Sequence, residues 1–400
     1  MTKLNAQTKS YAVVGTLSLQ LPSGWILQKY LGLAGVTCYF VISSLILFFV
    51  TRHILLRGFP KISEAKAILL LALTFFVICS GFSIMYPLAN SGVFGPGSDC
   101  DDALNIAVAE LMQGHYPYYV KTYFNNPISP LPGALLLAIP FVLLGTSAYQ
   151  NIFWLFVFLL TIKPYLNSWR SCLFFLWATL FLSPAVLFHV FVGNDYLSNS
   201  LYILVFSLWM ICAVTESGHK ESTKLITACL LGIGLSSRAN FVLILPLIFS
   251  ALAQNAGWKP AVKYTCISCA VFILITAPFY FYDPAGFSPL HTINKIKRFR
   301  SLLPYSDIVI SLTTGLTAVA LGYYQSVATG SAIFFRNCAI VLLIPVLASL
   351  VLSSLASGKV TLHFAGYGAF FLFFGVLAFW KEIFSPDVHH GIQTEQSQLS

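Results

Sequence analysis

Eight stretches of this chain run for eighteen or more residues with almost no charge: 33–50, 67–88, 171–189, 197–214, 264–281, 306–323, 338–356 and 361–380. Hydrocarbon offers backbone amides no partner, so a segment this long and apolar crosses about 30 Å of bilayer as an α-helix. Charged residues make up 9% of the sequence, against roughly a quarter in soluble domains, and aromatics 15%. A water-soluble enzyme built on one buried core is thereby excluded. The 22 Lys and Arg, net charge +9, stand singly between apolar runs, a distribution set by membrane topology, so no nucleic-acid partner is expected. Nine Cys show no metal-ligand spacing, and Cys266-Ile-Ser-Cys269 reads as small packing residues inside an apolar run.

Shorter apolar candidates at 148–162, 225–237 and 239–254, the last two parted by Ser236-Ser237-Arg238, bring the expectation to about eleven transmembrane helices in one all-α domain over 1–390. The polar tail 391–400 is expected to be disordered. Met1 to Leu21 lacks a signal-peptide pattern, so insertion is expected to rely on the spans themselves.

Arg52, Arg57, Lys61 and Lys66 place the loop after the first span in the cytoplasm. The next long stretch, 89–147, is then external, and carries Asp99, Asp101, Asp102 and Glu110 against a single Lys121. Its apolar segment from Leu131 to Gly145 is short for a span and holds Pro132 and Pro140. Read as re-entrant or interfacial, it leaves Lys163 with Arg170, Lys220 with Lys224, and Lys259 with Lys263 all inside. The same reading puts Asp195, Arg238 and the loop 282–305 on the external face with the carboxylates.

In the acidic loop, Leu104, Val108, Leu111 and Met112 recur at helical spacing, which predicts a short surface-lying helix from about Asp101 to Gln113, ended by Gly114. Ser98 or Asp99 would cap it, with Asp101 and Asp102 opposing its dipole. Capping needs one carboxylate, and three within four residues repel one another and raise at least one pKa toward the range of a general base.

The run Ala109-Glu-Leu-Met-Gln-Gly-His-Tyr-Pro-Tyr118, then Asn126-Pro-Ile-Ser-Pro-Leu-Pro-Gly133 and a closing Leu144-Gly145 resemble the first external loop of GT-C glycosyltransferases, nearest the mannosyltransferase-like branch that uses polyprenyl-phosphate sugars. Weaker likeness extends to Gly193-Asn194-Asp195, Ser236 to Asn240 and Tyr282 to Pro289. The resemblance implies a GT-C-like helical bundle whose long first external loop carries interfacial helices and a catalytic Asp. It also implies inverting transfer of a monosaccharide from a polyprenyl-phosphate donor to a glycan, lipid or protein hydroxyl, on the non-cytoplasmic face of a bacterial inner membrane. Counting back from Gly114 places the family's Asp nearest Asp101, with Asp99 and Asp102 as alternatives. Asn105 departs from the Tyr that many relatives carry one turn after it.

Such a transfer needs a carboxylate for the acceptor hydroxyl and cations for the departing phosphate. Arg238, Lys295, Lys297 and Arg298 are the candidate cations, with His291 and His115 as possible hydrogen-bonding partners. The basic run also suits anionic lipid headgroups, and Asp195 suits either a helix cap or a second acidic site residue. Asp99-Cys-Asp101 is too short a motif to establish a nucleotide-sugar metal site, so no cofactor is required, although a divalent cation is compatible with the carboxylates. Tyr116, Tyr118, Tyr119 and Tyr123 suit sugar stacking or an interfacial belt equally. The competing functions are a transporter or lipid flippase, which would place ionisable residues at mid-helix, and a ligase or polymerase using a lipid-diphosphate donor.

Overall fold

The computed structural model describes residues 6–93, 98–290, 295–325 and 331–384. Among them the chain forms fifteen α-helices: α1 Ala6–Gln20, α2 Gly24–Arg57, α3 Glu64–Asn90, α4 Cys100–Met112, α5 Pro132–Leu143, α6 Tyr149–Leu166, α7 Trp169–Leu182, α8 Pro184–Phe191, α9 Tyr196–Thr215, α10 Glu221–Leu235, α11 Leu245–Ala256, α12 Trp258–Tyr282, α13 Ser306–Tyr324, α14 Ser331–Ser357 and α15 Ala369–Ile383. The tail 391–400 and His291 lie outside the described residues.

Eight helical runs are long and apolar enough to cross a membrane, nine if the bent pair α7–α8 counts as one span. The chain is a multi-pass integral membrane protein. About eleven are expected from the sequence, and the expected spans that fall short of this length and apolarity do so for physical causes. The stretch 171–189 bends by 85° between Leu182 and Pro184, because Pro184 has no N–H with which to continue the ladder. Helix α10 has only 15 residues, about 22 Å at 1.5 Å per residue. Helix α6 carries Gln150 and Asn151 at one end and Lys163-Pro164 at the other, which shortens its apolar stretch. Helix α5, with 12 residues, rises about 18 Å and is too short to cross, in keeping with an interfacial or re-entrant segment.

Helices α9 and α15 form the centre. Of the most apolar windows of the runs that contain them, 83% and 89% are buried, against 11% for the windows in α2 and α12. The peripheral helices instead expose Leu69, Phe76, Leu274 and Phe281, as a lipid-facing surface requires. A second, smaller core lies in the loop region, where Leu104 and Val108 of α4 pack with Ile128, Leu135 of α5 and Phe287. That core fixes α4 against the body of the bundle with its first turn turned inward.

Helix direction divides the polar groups between two ends. The end of α3, the starts of α4, α5, α6 and α9, and the ends of α10 and α12 meet at one end. Lys163 with Arg170, Lys220 with Lys224, and Lys259 with Lys263 fall at the helix termini of the other.

Candidate functional site

Helix α4 begins one residue earlier than predicted, and its three carboxylates have separate fates. None caps the helix in the expected way, because Asp99 at the N-cap makes no side-chain capping bond. Asp99 Oδ2 instead accepts from Thr122 Oγ1 at 2.6 Å and Asn126 Nδ2 at 2.8 Å. Asp102 Oδ2 accepts from the Tyr123 backbone N–H at 3.0 Å and so pins the loop that returns past the helix. Asp101 is 4% exposed and accepts from the Tyr86 hydroxyl at 2.6 Å, which also bonds Thr146 Oγ1 at 2.8 Å. Burial pushes the Asp101 carboxyl up to about 6, with the Tyr86 hydrogen bond pulling the other way.

Asn105, the position that departs from the GT-C pattern, accepts from the Ser147 N–H at 2.8 Å, while Ser147 Oγ donates to the Asp101 carbonyl at 3.2 Å. Both bonds tie the first turns of α4 to the start of α6. Its amide thereby takes a structural task.

A second charged group is contributed by the break between α10 and α11. Arg238 precedes a 3₁₀ turn over Ala239–Ile244 in extended conformation, so its side chain leaves the helix path and reaches across to the start of α9. Nη2 pairs with Asp195 Oδ2, Nη1 donates to Ser129 Oγ at 3.1 Å, and the guanidinium lies 5.1 Å from the centre of the Tyr196 ring. Burial would lower the arginine pKa, but Asp195 and the neighbouring Tyr196 and Cys100 override it and hold it above the ordinary range. Asp195 also accepts from Asn199 Nδ2 at 3.0 Å and makes no capping bond. The cap-like bond at this helix start is donated by the Tyr196 N–H to Asn194 Oδ1.

These elements enclose two adjoining chambers. The smaller, about 110 Å³, is polar and is lined by Asp99, Thr122, Asn126, Ser129, Arg238 and Lys295. The larger, about 490 Å³, extends from Asp99, Cys100 and Lys295 toward Lys29 and His363, with apolar walls that include Trp25, Met85 and Phe188. Asp99, Cys100, Tyr196 and Lys295 face both. His189 also lines the larger chamber; it is 1% exposed and neither ring nitrogen has a partner among the described residues. Burial pushes the Cys100 thiol up to about 12, so this side chain is a neutral thiol at the junction of the chambers.

The structure therefore brings together Asp99, Asp195, Arg238 and Lys295, contributed by four distant parts of the chain, with Asp101 buried behind them. It leaves out other expected residues. His115 bonds Glu110 at 2.9 Å with its side chain 61% exposed, a local contact made beyond the end of α4. Arg298 lies 4.9 Å from the rings of Phe299 and Phe364, and neither it nor the exposed Lys297 lines a chamber. Tyr116 and Tyr119 anchor the loop instead of facing the chambers: the Tyr116 hydroxyl donates to the Phe279 carbonyl at 2.7 Å, and that of Tyr119 to Asp283 Oδ2 at 3.0 Å. Sequence reasoning missed Tyr86, Thr122, Lys29 and Tyr196. Only Thr122, close to Asn126-Pro127 in the motif, carried a local signal. No family model, curated protein or solved structure matches this chain.

Proposed function

We propose that this protein is a GT-C-type glycosyltransferase, with a GT-C-like bundle, that moves a monosaccharide from a polyprenyl-phosphate donor to a hydroxyl acceptor. The observation that carries this reading is the pair of chambers: a carboxylate and a lysine face a small polar space that opens into a larger one with apolar walls. The larger chamber suits a lipid phosphate, with Lys29 and Lys295 for its charge and the unpartnered His189 as a hydrogen-bonding group. The smaller suits sugar and acceptor hydroxyls, with Thr122, Asn126 and Ser129 as polar partners.

In this scheme Asp99 is the base. It lines both chambers, whereas Asp101, favoured by motif spacing, lines neither. Among the described residues Asp99 Oδ2 takes both hydrogen bonds, which leaves Oδ1 to accept the acceptor's proton. The acceptor oxygen attacks the anomeric carbon, the bond from that carbon to the phosphate oxygen breaks, and the phosphate leaves with the electron pair. Attack from the face opposite the leaving group inverts the anomeric centre. Lys295 is the better phosphate partner than Arg238, whose charge is already committed to Asp195. The basic pairs at the other end of the bundle support a cytoplasmic location for that end by the positive-inside tendency, and with it a non-cytoplasmic face for the chambers.

The test is incubation of the purified protein with a panel of polyprenyl-phosphate sugars and hydroxyl acceptors, reading release of the free lipid phosphate. Asp99→Asn is expected to lower turnover by at least about a hundredfold, while Asp101→Asn keeps measurable transfer. Full activity in Asp99→Asn together with loss in Asp101→Asn would hand the base to Asp101. Failure of every lipid-phosphate sugar, with lipid-diphosphate sugars accepted, would replace the donor class.

A further inference from the structure

A different group of side chains sits at the other end of α9. Cys212 lies about 24 Å along that helix from Tyr196 at roughly 1.5 Å per residue, and so stands apart from the chambers. The helix ends at Thr215, and Glu216 turns to extended backbone with φ −84° and ψ 136°. Gly218 then takes φ +107°, a value side chains resist, and the chain doubles back. In a continuous helix residues seven apart are separated by about 10 Å along the axis. Here the reversal brings His219 Nε2 to 4.0 Å from Cys212 Sγ and 3.5 Å from Glu216 Oε2. One ligand atom from each of the three lies within 4.8 Å of the others.

We infer that Cys212, Glu216 and His219 form a binding site for a single divalent cation of the zinc class. Thiolate, imidazole and carboxylate are the donor set that zinc accepts, at about 2.3, 2.0 and 2.0 Å respectively, with tetrahedral angles. Those bond lengths set ligand-to-ligand edges of roughly 3.3 to 3.6 Å. The observed 3.5 and 4.0 Å separations need contractions of up to about half an ångström, and the third edge, which lies within 4.8 Å, up to about 1.3 Å, reached by rotamer adjustment of the exposed Glu216. Hard cations such as magnesium are disfavoured because they take oxygen ligands in octahedral arrays. Glu216 and His219 have side chains 64% and 38% exposed, so the ion has a path in, and water completes the fourth position. Binding releases the Cys212 thiol proton to solvent and leaves the thiolate on the metal. The ion would clip the last turn of α9 to the turn that leads into α10.

The experiment uses the full-length protein, purified in detergent and stripped with a chelator, titrated with Co²⁺ and then with Zn²⁺. One equivalent of Co²⁺ is expected to give a thiolate-to-metal charge-transfer band and the intense visible bands of a four-coordinate site, both erased by Zn²⁺. Cys212→Ser should remove the charge-transfer band, and His219→Ala should weaken binding by more than about tenfold, the least that disturbing even a ligand's outer partner costs. Both variants should retain the metal-free unfolding profile of the parent. Absence of the band in the parent, or its survival in Cys212→Ser, which would assign it to another of the nine cysteines, overturns the site.

Discussion

The pair between Arg238 and Asp195 offers a measurable test of how the candidate site is held. Their side chains are 9% and 1% exposed, so neither charge is well hydrated. Asp195→Asn preserves the shape and the contact with Asn199 but removes the negative charge, leaving the guanidinium, among the described residues, with neutral partners alone: the amide oxygen, the Ser129 hydroxyl and the Tyr196 ring. Breaking one side of a buried pair costs about 3–5 kcal/mol. The chamber beside Arg238, about 110 Å³, admits a few waters, which places the expected loss near the lower bound, about 3 kcal/mol. Arg238→Gln should cost a similar amount by stranding Asp195, while the double variant Asp195→Asn/Arg238→Gln exchanges the ion pair for a neutral amide pair. Most of each loss should then return, with a coupling energy of at least about 2 kcal/mol. The assay is reversible unfolding in mixed micelles followed by tryptophan fluorescence, applied to the four proteins of the cycle. If Asp195→Asn changes stability by less than about 0.5 kcal/mol, or if the two losses simply add, the pair is solvated and the reasoning fails.

Two further outcomes follow from burial and close packing. The folded-state value of about 6 for Asp101 lies above its ordinary 3.8, so the folded protein holds that proton more tightly than the unfolded chain. Its contribution to stability is full below about pH 4, falls between about pH 4 and 6, and is gone above. Asp101→Asn should therefore gain on the parent by up to about 3 kcal/mol between pH 4 and 7; paired melts at the two pH values that differ by the same amount would contradict this. At Gly133 an added Cβ would sit 2.2 Å from the Ile233 carbonyl oxygen and 2.6 Å from that of Ser236. Gly133→Ala should then cost about 1–3 kcal/mol and reduce transfer by disturbing Arg238, checked by melting temperature and lipid-phosphate release in the same preparation.

Hydropathy made most of the bundle legible, because a lipid-facing helix such as α2 or α12 must be apolar along its length. It hid α1. Thr8, Lys9, Ser10, Thr16 and Ser18 interrupt its apolar pattern, so no span is expected before residue 33, yet the helix packs on α15 with Tyr11 and Leu19 buried. The readable clue was small residues on both sides of that contact: an added Cβ at Gly375 would lie 1.9 Å from Ser18 Oγ, and one at Gly15 would lie 2.4 Å from the Phe379 Cβ, the close approach that small side chains permit. At the site, the helical spacing of apolar residues located α4 to within one residue, and charge outside the spans identified Arg238 and Lys295. Spacing along α4 cannot say which carboxylate faces a cavity, since Tyr86 claims Asp101 from fifteen residues away and is itself held by Thr146. The metal-ligating trio escaped for a related reason: its third member reaches the others only because the backbone reverses at Gly218.

The joint where α5 begins has a mechanical meaning. The N–H groups of Leu131 and Gly133 donate to the carbonyls of Ser237 and Ser236 at 3.0 and 2.6 Å, immediately before Arg238, and Ser288 Oγ fastens Ile128 from a third direction at 2.6 Å. Loop and arginine thus behave as one lever with a shared fulcrum. A substitution that displaces residues 128–133 therefore pulls on the backbone beside Arg238, so the position of the guanidinium is tied to that of the loop.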